Sequence, residues 1–209
     1  MHKIVESTKY REVLREQIIV AASQLFRTNG IRSVKMDDIA DSVSCSKRTL
    51  YELFSDKEEL LISVLDYVSE ITNKQLKVLY DEGNVMHLIL ESFRMQLQNF
   101  RTTNPLFYVD TPRFSRAAAH MESQRAMHRN NVLEVFRLAV AEGYFRDDID
   151  YELMIDVFLN RSGGIFHGDL YLKYPMTDIF KNTILVYFRG LCTDKGLVEL
   201  DQFIAENYK

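Results

Sequence analysis

The stretch VKMDDIADSVSCSKRTLYELF, residues 34–54, carries the pattern that decides the fold. Apolar residues recur at helical spacing between Met36 and Val43, which predicts a short amphipathic helix. Ser44-Cys45 supplies a tight turn, and a second short helix begins at Ser46. Two short helices joined by such a turn predict a helix-turn-helix motif.

The second helix of this motif has one apolar face and one basic face. Leu50 and Phe54 lie four residues apart and are expected to face the core. The opposite face then carries the cationic and hydroxyl-bearing residues, which are Lys47, Arg48, Thr49 and Tyr51. The DNA major groove is about 12 Å wide and therefore admits one such helix. Lys and Arg can donate there to guanine, and hydroxyl groups can donate to phosphates. The motif therefore predicts DNA binding.

Helical spacing of apolar residues continues along most of the chain, and no run alternates with the period of a half-buried strand. Asn29-Gly30 is expected to end the first helix. Ser55 and Glu58 are expected to form a capping box for a long helix that runs to Gly83. The other predicted helices cover residues 84–104, 121–142, 150–174, 177–193 and 197–207, with one short helix or two turns at 105–118. The predicted fold is all-α.

The composition is that of a globular chain. The 209 residues are 46% apolar and 27% charged, which excludes disorder and low-complexity structure. Two cysteines are too few for a disulfide framework or a cysteine-rich zinc site. No run approaches the ~20 apolar residues of a membrane helix, and the N-terminus lacks the apolar block of a signal peptide. We therefore expect a cytoplasmic protein that does not insert into membranes.

Charge is unevenly distributed, and chemical motifs are missing. The net charge is −4, but residues 1–57 carry +2 and the remainder −6, so a small basic tip belongs to an acidic body. The sequence has no glycine-rich phosphate loop, no nucleophile elbow and no His-Glu-x-x-His. Its five histidines show no ligand spacing. We expect no catalytic residue, no metal and no cofactor.

Residues 18–60 resemble the N-terminal DNA-binding domain of the TetR (tetracycline-repressor) family of transcriptional regulators. The residues that carry the resemblance, in order and at the family's spacing, are Ile18, Ala21, Ala22, Leu25, Phe26, Gly30, Val34, Met36, Asp38, Ile39, Ala40, Ser46, Lys47, Thr49, Leu50, Tyr51, Phe54, Lys57, Glu58, Glu59 and Leu60. The resemblance implies a three-helix DNA-binding domain over residues 1–55. It also implies a helical domain over residues 56–209 that binds an effector and dimerises.

Position by position, the resemblance implies seven DNA-contacting residues: Lys35, Ser46, Lys47, Arg48, Thr49, Tyr51 and Lys57. It assigns Lys35, Tyr51 and Lys57 to the DNA backbone and the others to the groove. The residues alone leave alternatives open. Lys47 and Arg48 could form a solvated basic face, Tyr51 could pack in the core, and Lys57 could be a surface lysine in an ion pair.

The sequence departs from the family pattern at three positions of the motif. Ser44 stands where the family often has glycine, at a cost of ~1 kcal/mol if the residue is left-handed. Cys45 replaces an aliphatic residue and is expected to be a buried small hydrophobe. Leu53 stands where an aromatic residue is common, so one backbone contact is expected to be missing.

Aromatic residues in the second domain could line a cavity for an apolar effector. The predicted lining residues are Phe93, Leu97, Phe100, Phe107, Phe114, Met121, His128 and Phe158. His128 and Arg94 are candidates for orienting a polar group of the ligand. The alternative is that the aromatic residues form ordinary core and that both polar residues lie at the surface.

The segments 150–174 and 177–193 are predicted to form a dimer interface. Ser162-Gly163-Gly164 lies inside a helical pattern, where each glycine costs roughly 1 kcal/mol, and small residues there would let a second helix approach closely. The residues expected around that contact are Val157, Arg161, Ile165, Ile184, Tyr187 and Phe188. The alternative is a kink near the pocket.

The sequence therefore predicts a homodimeric, ligand-responsive regulator that binds double-stranded DNA, most simply a repressor that a small molecule releases from its operator. One alternative is a helical small-molecule-binding protein of the same fold without sequence-specific DNA binding. A helical enzyme is the third class, which the missing motifs disfavour.

Overall fold

The computed structural model describes residues 2–157 and 170–208. Within these ranges every regular element is helical, which confirms the all-α prediction. The helices are α1 (His2–Asn29), α2 (Met36–Ser42), α3 (Lys47–Leu53), α4 (Lys57–Glu82), α5 (Val85–Thr102), α6 (Pro105–Asp110), α7 (Ser115–Ala141), α8 (151–157), α9 (Leu170–Lys173), α10 (Met176–Phe180), α11 (Val186–Leu191) and α12 (Asp194–Asn207), with a 3₁₀ turn at Thr111–Arg113 and a π-helical turn at Lys181–Leu185.

The chain packs as two compact units. The first consists of the described residues of 1–71 and 103–121, and the second of the described residues of 72–102 and 122–209. By packing, the beginning of α4, helix α6 and the beginning of α7 therefore belong with the helix-turn-helix motif. The predicted boundary after residue 55 divides the chain by function and not by packing, and it stays a prediction.

The first unit has a core built from α1 to α4 and from the beginning of α7. Its fully buried apolar residues are Ile18, Ala22, Phe26, Ile31, Ile39, Leu50, Phe54, Leu60, Leu61, Val64 and Ala117. These residues come from five helices and the loop after α1, so the short helices α2 and α3 are held by tertiary packing. Isolated helices of seven residues would be unstable in water.

The C-terminal end of α1 is closed by glycine and by a distant loop. Gly30 has φ +82°, which confirms the predicted left-handed stop. Asn104 donates from its backbone N–H to Arg27 O at 2.7 Å and from Nδ2 to Thr28 O at 3.1 Å. A Cβ at Gly30 would lie 2.7 Å from Leu106 Cβ, so α6 packs directly against this turn.

The start of α4 is capped one residue later than predicted. Asp56 Oδ1 accepts the N–H of Glu59 at 2.9 Å, and Glu59 Oε2 accepts the N–H of Ser55 at 2.8 Å. The predicted cap at Ser55 and the predicted return contact from Glu58 are therefore wrong by one position. Asp and Ser are similarly good caps, so the sequence did not decide between them.

Glu58 instead caps the beginning of α7. Its Oε1 accepts the N–H of Arg116 at 2.6 Å and that of Ala117 at 3.2 Å. Helix α7 therefore begins at Ser115, whereas the sequence predicted a start at Met121. The cap comes from a residue far away in the chain, which a local pattern does not reveal.

Aromatic contacts dominate the core of the second unit. The ring of Phe93 on α5 meets Phe180, Phe188 and Phe203 edge-on, at centroid distances of 5.5, 4.7 and 6.2 Å. These partners lie on α10, α11 and α12, so one side chain joins four helices. Edge-to-face pairs of this kind each contribute about 0.5–1.5 kcal/mol beyond area burial.

The remaining described boundaries lie close to the predicted ones, except that α12 begins at Asp194 and not at residue 197. Gly143, with φ +74°, follows α7, and the predicted helix at 177–193 appears as α10, the π-helical turn and α11. The middle of the predicted helix at 150–174, residues 158–169, lies outside the described residues. None of the described helices is long and apolar enough to cross a membrane.

Candidate nucleic-acid interface

Helix α3 is fixed by its own cap and by two buried residues. Ser46 Oγ accepts the N–H of Thr49 at 3.0 Å and lies 2.8 Å from Thr49 Oγ1. Leu50 and Phe54 are fully buried, as predicted. Because these two residues face the core, the first turn of α3 and Tyr51 are turned outward.

The turn between α2 and α3 contains the only non-glycine residue with positive φ in the described ranges. Ser44 has φ +54°, the left-handed conformation in which a side chain costs roughly 1–2 kcal/mol. Cys45 follows, and its N–H donates to Ala40 O at 3.0 Å. Its side chain is half-buried, so the expected full burial is wrong. Burial nevertheless raises the pKa of the Cys45 thiol.

Both basic residues of α3 are paired with carboxylates of the same surface. Lys47 Nζ lies 2.8 and 2.9 Å from the two carboxylate oxygens of Asp37 on α2. The Asp37 hydrogen bond raises the pKa of Lys47, which keeps the ammonium charged. Arg48 Nε donates to Glu52 Oε1 at 3.0 Å, and Arg11 of α1 lies 3.8 Å from Glu52 Oε2. Sequence reasoning missed both acids as members of this surface.

The remaining sites of the motif are accessible. Tyr51 is 43% exposed, which contradicts the alternative that it packs in the core. Ser46 is exposed and Thr49 half-buried. Lys35 is exposed just before α2, and its backbone N–H donates to Asp38 Oδ2 at 2.7 Å. These four residues, with Lys47 and Arg48, lie on two adjacent short helices and their caps.

Lys57 is placed differently from the other six. Its side chain is half-buried, and Nζ donates to Val34 O at 2.5 Å and to Arg32 O at 3.4 Å. Burial lowers the pKa of Lys57. The ammonium therefore binds the loop after α1, and a phosphate contact, which stays a prediction, would require it to exchange carbonyl oxygens for phosphate oxygens.

The predicted effector residues do not come together as one group. Phe93 and Leu97 are buried in the core of the second unit, with Phe100 packed against it. Phe107 and Phe114 pack against the core of the first unit. His128 and Met121 are half-buried, and Phe158 lies outside the described residues. Helical spacing places aromatic residues on inward faces but does not tell which core they join.

A groove of about 600 Å³ lies in the second unit between α5 and α12. The residues that line it are Gly83, Asn84, His87, Leu90, Glu91, Arg94, Glu199, Gln202, Phe203 and Glu206. Arg94 forms ion pairs with Glu91 and Glu206 at its edge. Of this lining, the sequence had indicated Arg94 alone, because the α12 residues are distant in the chain.

The predicted dimer segments expose many apolar side chains. Leu153, Val157, Leu170, Leu172, Tyr174, Val186 and Tyr187 are each between 37% and 61% exposed. Two residues expected at the contact face inward instead: Ile184 is buried in the second core and Phe188 packs against it. Arg161, Ile165 and Ser162-Gly163-Gly164 lie outside the described residues.

Comparison with known proteins gives a consistent result. Residues 18–64 match the family model of bacterial regulatory proteins of the tetR family. The chain is 23% identical over 150 residues to the HTH-type transcriptional repressor KstR2 of Mycobacterium tuberculosis, an alignment that spans 67% of this chain and 73% of KstR2. It is 33% identical over 87 residues to the HTH-type transcriptional activator FasR of Mycolicibacterium smegmatis, 40% of each chain.

The solved structures extend the likeness to the whole fold. The reduced form of Escherichia coli NemR superposes with a TM-score of 0.63 at 15% sequence identity, covering 86% of this chain and 98% of NemR. At this low sequence identity, the superposition shows a similar fold and not a shared function. The curated relatives, one repressor and one activator, are regulators and not enzymes.

Proposed function

We propose that this chain, whose N-terminal sequence matches the TetR family of transcriptional regulators, is a homodimeric repressor that a small-molecule effector releases from its operator. The observation that carries the proposal is the outward face of α3. Lys47, Arg48 and Tyr51 are accessible there while Leu50 and Phe54 anchor the same helix in the core.

The DNA-binding step uses one α3 helix per subunit. Its N-terminal turn enters the major groove, where lysine and arginine donate to guanine O6 and N7. Lys35 and Tyr51 bind phosphates and set the register of the helix in the groove. In a symmetric dimer the two helices read half-sites about 34–36 Å apart, so the operator is near-palindromic.

The dimer uses the apolar surface of the second unit. Val186 is 59% exposed and shares one face of α11 with Gly190, four residues later. A Cβ at Gly190 would meet no atom of the described residues within 4 Å, so this face has room for a second helix. Leu153 and Val157 form a similar exposed apolar pair on α8. Exposed apolar residues concentrated in this way indicate a protein–protein contact.

The effector binds the second unit, where aromatic side chains are concentrated. Phe93 and Leu97 belong to the core of this unit and Phe100 packs against it; in this proposal they contact the apolar part of the effector, and half-buried His128 supplies a polar group. Binding shifts the population toward a dimer geometry whose α3 helices no longer match the half-site spacing. Helix α4 begins beside the helix-turn-helix motif and contributes residues to both units, so it is the route that we propose for the coupling.

Selection of bound duplexes from a random pool tests the DNA-binding proposal. We expect enrichment of a near-palindromic sequence whose affinity falls ~10³-fold or more between roughly 50 and 200 mM salt, because several phosphates are contacted per dimer. Enrichment of no sequence, together with the absence of salt-dependent binding, would favour a small-molecule-binding protein of the same fold. The effector proposal is then tested by adding pools of metabolites to the complex of the protein with the selected duplex and identifying those that release the DNA.

A further inference from the structure

The surface proposed to meet DNA carries two carboxylates as well as its cations. Asp37 binds Lys47 through both carboxylate oxygens, at 2.8 and 2.9 Å. Glu52 binds Arg48 Nε at 3.0 Å and has Arg11 3.8 Å from its other oxygen. Each cation proposed to enter the groove therefore already has an anionic partner from its own chain.

These ion pairs contribute little to the stability of the fold. The side chains of Lys47 and Asp37 are 61% and 53% exposed, and those of Arg48 and Glu52 are 89% and 47% exposed. Exposed pairs of this kind contribute little to the free energy of unfolding, because water and salt screen the charges. Arg48 also precedes Glu52, which is the less favourable order for a pair at this helical spacing. Stabilisation of the fold therefore does not explain why these two ion pairs lie on the surface proposed to meet DNA.

Carboxylates beside the cations oppose binding to any duplex. Non-specific affinity comes from cations that neutralise phosphates and release counterions. Lys47 can bind a phosphate only if it leaves Asp37 or brings that carboxylate close to the DNA backbone. Either event makes the free energy of DNA binding less favourable, and it does so for any base sequence.

Arg48 is held in a way that leaves its base-reading atoms available. Glu52 accepts from Nε, which leaves the end-on pair of N–H groups, one on each terminal nitrogen of the planar guanidinium, outside that bond. A guanine presents O6 and N7 to such terminal groups in the major groove. Arg48 can therefore keep its hydrogen bond to Glu52 and bind a guanine at the same time. A duplex without a guanine at that position provides no such contact to offset the unfavourable effect of the carboxylate.

We propose that Asp37 and Glu52 are specificity-determining residues of this regulator. Their carboxylates compete with phosphates for Lys47 and Arg48, which weakens binding to DNA of unrelated sequence more than binding to the operator. Glu52 is also a positioning residue for Arg48. This inference rests on the proposed DNA-binding function.

The test compares two duplexes over a salt series with the full chain. One duplex is the sequence that the unaltered chain selects from a random pool, and the other is a shuffled sequence of the same composition. The variants are Asp37→Asn, Glu52→Gln and Glu52→Ala. The control is Glu134→Gln, which removes one negative charge from an exposed position of the second unit.

We expect Asp37→Asn and Glu52→Gln to bind the shuffled duplex more tightly, by up to ~8-fold for each freed cation near 0.1 M salt. The slope of log affinity against log salt should steepen by about 1 for each freed cation. Affinity for the selected duplex should rise less, so the ratio of the two affinities falls. Glu134→Gln should leave both affinities and both slopes unchanged.

The two substitutions of Glu52 separate charge from positioning. Glutamine keeps an oxygen that accepts from Arg48 Nε, and alanine does not. Both should raise affinity for the shuffled duplex equally, but Glu52→Ala should also weaken binding to the selected duplex. Equal behaviour of the two variants on the selected duplex would refute the positioning role.

Three other outcomes have distinct meanings. An unchanged affinity for the shuffled duplex in Asp37→Asn and Glu52→Gln overturns the proposal. A loss of affinity for the selected duplex alone also overturns it, because that result indicates a direct contact between the carboxylate and a base. If the unaltered chain selects no sequence and binds no duplex, the proposed function itself has failed.

Discussion

Arg48 and Leu50 stand two positions apart in α3, yet the side chain of Arg48 is 89% exposed and Leu50 is fully buried. The difference follows from the direction in which each side chain leaves the helix. Leu50 packs in the core of the first unit, and Arg48 projects from the opposite side of the helix. At the scale of single residues, this division separates those that hold the helix from those that can contact DNA.

The hydroxyl of Tyr51 is expected to add affinity without sequence preference. Tyr51→Phe removes one phosphate hydrogen bond per subunit, worth about 1–2 kcal/mol because the acceptor is charged. Affinity should fall by a similar factor for the selected duplex and for its single-base variants, as measured by titration. Lys47→Ala and Arg48→Ala should in addition make the affinities for those variants more alike. Unchanged discrimination in both alanine variants would contradict the base-reading role.

At the scale of elements, the first unit depends on contacts between helices that are distant in the chain. Helix α6 packs against the turn after α1, where Asn104 binds the last carbonyls of that helix. The beginning of α7 is bound to α4, because Arg116 forms ion pairs with Asp56 at 2.6 Å and Glu58 at 3.2 Å. The helix-turn-helix motif is therefore supported by α6 and the beginning of α7, which come well after it in the chain.

The contact between α6 and the end of α1 can be tested with two glycines. Gly30 and Gly143 both have positive φ, and alanine at either should cost roughly 1 kcal/mol for the backbone conformation. Among the described residues, a Cβ added at Gly30 would lie 2.7 Å from Leu106 Cβ, whereas one added at Gly143 would meet nothing within 4 Å. Gly30→Ala should therefore cost ~1–3 kcal/mol more than Gly143→Ala, because overpacking adds to the strain. Denaturant unfolding measures both, and equal losses would contradict the packing.

The cap that Glu58 provides for α7 predicts a pH dependence. Burial raises the pKa of Glu58. The N–H groups of Ala117 and Arg116 and the Arg116 guanidinium together lower it by more, so the pKa of Glu58 in the folded state lies below its usual value. A carboxylate with a lowered pKa in the folded state stabilises the fold above its unfolded pKa, and this contribution is lost as the pH falls through the folded pKa.

Glu58→Gln should therefore lower the free energy of unfolding at pH 7 by about 1–2 kcal/mol, since a charged acceptor is lost. The difference from the unaltered chain should shrink as the pH falls below the usual range of a glutamate carboxyl and through the lowered pKa of Glu58, because the native carboxylate is then protonated. Thermal unfolding at several pH values measures this, with Glu134→Gln as the control. A difference that stays constant across the range would show that the charge of Glu58 is not involved.

At the scale of the whole molecule, the exposed apolar residues of the second unit define the proposed dimer. Val186 on α11 is 59% exposed and Val198 on α12 is 70% exposed, but only Val186 lies in a predicted dimer segment. A carboxylate buried at an interface without a partner costs several kcal/mol. The two valines thus form a matched pair for testing where the subunits meet.

Val186→Asp should convert the dimer to a monomer at micromolar concentration and raise its dissociation constant at least ~100-fold. Val198→Asp should leave the dimer intact. Sedimentation equilibrium measures the masses, and the monomeric variant should also lose most of its affinity for the two half-sites together. A dimeric Val186→Asp with a monomeric Val198→Asp would move the interface to α12.

The sequence alone determined the features that depend on neighbouring residues. The helical spacing of apolar residues, the stop at Gly30, the beginning of the second motif helix at about Ser46 and the burial of Leu50 and Phe54 all follow from interactions within a few positions. The family resemblance located the DNA-binding motif, and the match over residues 18–64 agrees with it.

Only the tertiary structure decided which distant residues meet. It paired Lys47 with Asp37, turned Lys57 toward Val34 and gave Glu58 to α7. It also divided the aromatic residues that the sequence had grouped as one effector site between two cores. The physical reason is that helical periodicity fixes which face of a helix is apolar, whereas the partner of that face depends on how the helices pack.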